Sequence, residues 1–248
     1  MIGGEAALRP FVLLVLMLLA TACGETTPGV RGASPAPELS PYGKPPAKQA
    51  PLPGGERAAP GEAGAQPMPR VPRAASGRYA VVPGGAPERR GRGAVVRYLV
   101  EVERGLPFDG RAFAAEVHRT LNDPRGWARF RRVARPPVRI RVALSSPHLT
   151  DRRCRPLRTG GDLSCWNGSR SVINALRWAT GVPQYRGDLA AYRQYLISHE
   201  VGHGLGHHHT TCPGRGRPAP VMMQQSKSLG GCRPNPWPFP ERGQRSER

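Results

Sequence analysis

Lysine is almost missing from this chain. Lys44, Lys48 and Lys227 are the whole complement, so nearly all of the 37 cationic residues are arginine. Acidic residues are also scarce, 17 in 248, which leaves a formal net charge of +20. That imbalance favours anionic surfaces, with cell-wall polymers and lipid head groups among them. Nucleic acid would answer to the same charge, but no recognised nucleic-acid motif accompanies it, and that partner is set aside. No CxxC pair occurs, which argues against the common cysteine-rich zinc sites. No convincing internal repeat is present, which argues against solenoids. The apolar run from Phe11 to Ala20 is too short to cross a bilayer as an ordinary helix.

That run instead fits the core of a signal peptide over residues 1–23, with Arg9 before it and small residues after it. The "ATAC" that ends at Cys23 resembles a bacterial lipobox, whose cysteine carries a lipid anchor. It departs from the usual pattern because Ala20 stands where Leu is expected. The expected location is therefore exported: an outward-facing membrane lipoprotein, or else a secreted protein. Setting Cys23 aside leaves Cys154, Cys165, Cys212 and Cys232, an even number that suits an oxidising compartment. Of the three possible pairings, Cys154–Cys165 with Cys212–Cys232 needs the least chain rearrangement.

Residues 24–76 read as a disordered Pro/Gly/Ala-rich linker. With almost no large apolar residues, such a segment cannot bury enough surface to offset its ordering entropy. As a coil it would span about 40 Å, which suits a tether. The folded domain is expected over 77–240, with a flexible tail at 241–248. From Ser76 onward the chain holds 30 basic and 12 acidic residues, so the positive charge belongs to the domain.

The domain has a mixed pattern that predicts an α+β fold. Ala94 to Glu103 is β-branched and aromatic, a strand. Asp109 to Asp123 places Phe113, Val117 and Leu121 four apart, a helix with Asp109 as N-cap. Val138 to Leu144 alternates, which predicts a strand with one solvated, arginine-bearing face. Asn167-Gly168 between apolar flanks is a strong hairpin signal. The strand after it, "SVINALRW", is either an exposed sheet edge or an ordinary core strand. A second helix starts at the cap Asp188 and runs into a histidine cluster. The part beyond Cys212 is irregular, with Trp237 and Phe239 pinning its end to the core.

That cluster, "HEVGHGLGHHH", has five histidines in eleven residues around Glu200. On a helix, residues four apart share a face, so His199 and His203 can present two imidazoles to one metal. Glu200 lies about 100° round from His199, placed to address a water rather than to ligate. Ile197 and Val201 lie on the far side and point to the core. A catalytic zinc needs a third ligand and an open fourth position. Gly206 permits a left-handed helix end, after which His209 can return to the metal. If the helix continued past Gly206, His207 would be the third ligand instead. His118 and His148 read as ordinary structural residues.

Written out, His199-Glu200-x-x-His203-x-x-Gly206-x-x-His209 matches the long HExxHxxGxxH pattern, and the chain resembles the metzincin class of zinc peptidases. The resemblance implies a zincin-like mixed sheet, an active-site helix, a Met-turn and an irregular C-terminal region. Met222 in "PAPVMMQQ" stands in the Met-turn position, with Met223 as the alternative. From about Arg97 to Phe239 the chain is also similar to an uncharacterised family of exported actinobacterial proteins with a zincin-like domain. Some metzincins place a Tyr two residues after the Met-turn Met; here that position is Gln224. The resemblance thus implies a Zn2+ cofactor and hydrolysis of peptide bonds by zinc-activated water, with Glu200 as general base. Peptides or proteins of the cell envelope are the expected substrates. The other reading is an inert, zinc-containing envelope protein whose basic surface holds anionic wall polymers.

Overall fold

The computed structural model describes residues 70–242. The signal-peptide core, Cys23, most of the linker and the last six residues lie outside them. The described chain is α+β: a mixed six-stranded sheet with four α-helices. Its strands are β1 Tyr79–Val81, β2 Val95–Glu103, β3 Arg129–Arg132, β4 Ile140–Ser145, β5 Cys165–Trp166 and β6 Arg170–Asn174. The helices are α1 Gly110–Leu121, α2 Pro147–Cys154, α3 Ala175–Thr180 and α4 Leu189–Gly204. The sheet order is β1-β2-β4-β6-β5, with β3 paired to the first half of β2. Neighbours β2, β4 and β6 are parallel, whereas β1 and β5 run antiparallel to their partners.

The local signals act as chemistry predicts. Asp109 accepts a hydrogen bond from the Arg111 amide at 2.7 Å and starts α1, which buries Phe113, Val117 and Leu121. Asp188 caps α4 through the Ala191 amide. The Asn167 side chain accepts from the amides of Ser169 and Arg170, and Gly168 takes φ +88°, closing the β5–β6 hairpin. One core joins the sheet to α1 and α4, with Val100, Val142, Ile173, Val117, Ile197 and Val201 all fully buried. Among the described residues, no helix is long and apolar enough to cross a membrane.

Two strand expectations need correction. β4 has no solvated face: Ala143 and Ser145 are fully buried, and Arg141 is drawn onto Glu101 at 3.1 Å. The reason is position, since β4 is flanked by β2 and β6 and packed by α2. The run "SVINALRW" is not one strand. Asn174 ends β6 and caps α3 by accepting from the Leu176 amide. Nor is β6 an edge, because the hairpin lays β5 along it. Packing also reaches back into the Pro-rich stretch. Val71 and Ala75 rest on the core, and the Arg73 carbonyl accepts from the His148 amide.

Candidate metal centre

Helix α4 carries the site, and its C-terminus is built to release the chain. Leu205 is the C-cap and Gly206 takes φ +100°, open to a glycine at little cost. The Gly206 amide donates to the His203 carbonyl and the His207 amide to the Gly202 carbonyl, which together make a Schellman ending. The chain reverses there and brings His209 back over the helix. His199, His203 and His209 each offer one nitrogen, and those atoms lie within 4.8 Å of one another.

The hydrogen bonds fix which nitrogens those are. His199 Nδ1 lies 2.8 Å from the Val221 carbonyl, and His203 Nδ1 lies 2.9 Å from the His207 carbonyl. A carbonyl can only accept, so both Nδ1 atoms carry the proton and both Nε2 atoms present a bare lone pair. His203 Nε2 and His209 Nε2 stand 3.1 Å apart. Two nitrogens bound about 2.0–2.1 Å from one tetrahedral ion would stand about 3.3 Å apart, so this donor set fits a cation of that class. Burial acts in the same direction. It holds His199 far below its ordinary pKa, at about 3, and it also lowers His203 and His209. All three imidazoles are therefore neutral at pH 7, the form that could hold a metal ion.

The two histidines beside His209 go elsewhere. His207 stacks on the Trp127 ring, with centroids 4.0 Å apart, and His208 is exposed outside the cluster. Trp127 is anchored by its indole N–H, which donates to the Ser198 carbonyl at 2.8 Å, and Phe239 packs on its edge. His118 bonds the Tyr98 hydroxyl and His148 lies exposed at the start of α2; neither joins the site.

Glu200 is only 5% exposed, yet it lines a cleft of about 230 Å³ together with the three histidines. Its carboxylate has no hydrogen-bond or ionic partner among the described residues. Burial pushes its pKa up to about 8. Helix α4 adds Tyr195 and Leu196, and the remaining lining comes from two segments. One is the loop from Leu157 to Trp166, closed by the Cys154–Cys165 disulfide; the other is Gln224, Ser226 and Lys227.

The methionine pair divides. Met222 packs on α4 so closely that a Cβ at Gly202 would sit 2.5 Å from its sulfur. Met223 packs instead with Ala219 and Cys232. The Cys212–Cys232 disulfide closes the loop that holds both, so the short-range pairing is the one formed. A buried polar network, absent from the sequence reading, holds this loop together. Gln225 is fully buried; its side chain accepts from Tyr185 Oη and the Asn235 amide and donates to the Pro220 and Asn235 carbonyls. Tyr195 Oη donates to the Met223 carbonyl and accepts from the Gln225 amide. These bonds hold the turn whose Val221 carbonyl orients His199. The three tyrosines at 185, 192 and 195 were the available clue, because buried hydroxyls need partners.

Comparison with curated proteins and with solved structures finds no match. A family model, described as a protein of unknown function (DUF3152), matches residues 65–240, a stretch that includes every residue of the site. The chain belongs to that DUF3152 family.

Proposed function

We propose that the protein is an exported, zinc-dependent peptidase of the metzincin type. The observation that carries this reading is the convergence of three neutral imidazoles in a cleft that also holds an unpartnered, buried carboxylate. His199, His203 and His209 would hold the ion, and Glu200 is set on the next helical position from the first of them. When bound, zinc acidifies a water toward a pKa of about 7 and polarises the scissile carbonyl. Glu200 takes the proton from the attacking water and returns it to the leaving nitrogen. Desolvation makes its carboxylate a stronger base than an exposed one, and a nearby cation favours its ionised form. Val221 and His207 hold the imidazole tautomers through their carbonyls. Met222 supplies an apolar packing surface against α4 rather than a ligand.

The two disulfides favour an oxidising compartment, which supports export. The test is metal analysis of the folded protein beside a peptide-library digest. Stoichiometric zinc is expected, with hydrolysis abolished in Glu200→Ala while the metal stays. Bound zinc with no cleavage by the wild type would favour an inert envelope-binding protein instead.

A further inference from the structure

The cleft in front of the histidines has two cations at its rim and no acid except Glu200. Arg158 comes from the disulfide-closed loop and Lys227 from the turn after Met222. Both are exposed. Arg158 has no hydrogen bond or ion pair among the described residues, and Lys227 reaches only the amide oxygen of Gln224, at 3.4 Å. Several of the scarce carboxylates are held by other arginines: Glu88 by Arg131, Glu101 by Arg141 and Arg170, Asp123 by Arg125. The cleft is therefore left with uncompensated positive charge, which its low-dielectric walls focus. Next to Arg158 stands Leu157, 59% exposed, the most exposed large hydrophobic residue among those described. A bare leucine beside an unpaired guanidinium gives one apolar and one cationic contact at the same rim.

We infer that the cleft selects peptides bearing a carboxylate near an apolar side chain, with Arg158 and Lys227 taking the carboxylate and Leu157 the apolar group. The peptide as substrate rests on the peptidase reading; the charge selection rests on the lining itself. Two sources supply this chemistry, an acidic side chain or a free C-terminal carboxylate.

The experiment measures binding apart from cleavage. Zinc-loaded Glu200→Gln protein is titrated with labelled peptides that share an apolar core. One carries an internal acid and an amidated end, one a neutral core with a free carboxylate, and one neither. At least one carboxylate form is expected to bind about tenfold tighter than the neutral one, the equivalent of one well-placed charge contact. The form that gains identifies the source. Arg158→Ser and Lys227→Ser should each shrink that ratio severalfold, and Arg158→Glu should invert it. Arg92→Ser, an exposed arginine outside the lining, should leave it alone. Equal affinities, or an advantage that survives loss of both cations, overturn the inference. Wild-type cleavage is followed in parallel. Carboxylate preference without cleavage rejects only the peptidase reading, and cleavage without preference rejects only the charge selection. Absence of both binding and cleavage for every peptide rejects both.

Discussion

His207 and His209 are two residues apart and chemically identical, yet their surroundings differ completely. His207 is spent on Trp127, and His209 faces His203. His209→Ala should therefore weaken zinc binding at least a hundredfold, while His207→Ala keeps the metal and loses about 1 kcal/mol of stability with its stacking contact. Competition against a zinc chelator and thermal melting separate the two effects. If both variants bound zinc equally well, the third ligand would have to be sought elsewhere. The spacing alone left this choice open, because a helix continuing past Gly206 would have presented His207. What decides it is the Schellman ending, together with an indole about eighty positions earlier in the chain, a contact no local pattern encodes.

At the scale of elements, the loop between Cys212 and Cys232 behaves as one unit. It contains Val221, whose carbonyl fixes the His199 tautomer, and Met222, which packs on Gly202. Replacing both cysteines by serine should cost about 3 kcal/mol by the loop-entropy model. It should also weaken zinc binding about tenfold, the usual penalty for disturbing a ligand's outer hydrogen bond. Denaturant unfolding and metal titration of that variant check the two numbers, and unchanged zinc affinity would show that the loop does not position the ligand. Gln225 offers a second handle on the same unit. Gln225→Leu leaves the Tyr185 hydroxyl and the Asn235 amide unpaired in the interior, so it should destabilise by about 2–4 kcal/mol, read as a lower denaturation midpoint. The neighbouring Gln224 faces the cleft instead. In a proline-rich stretch without periodicity, nothing in the sequence separates these two glutamines.

For the whole molecule, acid and alkali act on the metal-free protein in opposite ways. Folded His199 titrates near 3 against 6.5 for the free side chain, so its contribution is full above pH 6.5 and is lost as pH falls toward 3. The downward shifts of His203 and His209 add to the same limb. Folded Glu200 titrates near 8 against 4.5, so its contribution is full below pH 4.5 and is lost as pH rises through 8. Thermal melting in chelator should thus show a plateau between about pH 4.5 and 6.5, with a fall on each side. Glu200→Gln should remove the alkaline fall, and added zinc should oppose it, since the ion binds neutral imidazoles and favours the carboxylate. A flat metal-free profile above pH 6.5 would contradict the desolvation of Glu200.

The sequence by itself determined whatever depends on neighbours along the chain. That covers the capped helices at Asp109 and Asp188, the Asn167-Gly168 hairpin, the short-range disulfides, and two histidines one helical turn apart. The caps, the hairpin and the histidine pair are set by hydrogen bonds or side-chain geometry within a few residues, and the disulfides close loops of only 11 and 20 residues. The tertiary structure alone decided the rest. It put β6 inside the sheet, pulled Arg141 onto Glu101, sent His207 to Trp127, and made Gln225 the hub of the Met222 turn. Those outcomes depend on which distant groups compete for the same buried space and the same hydrogen bonds, and that competition exists only once the chain has closed on itself.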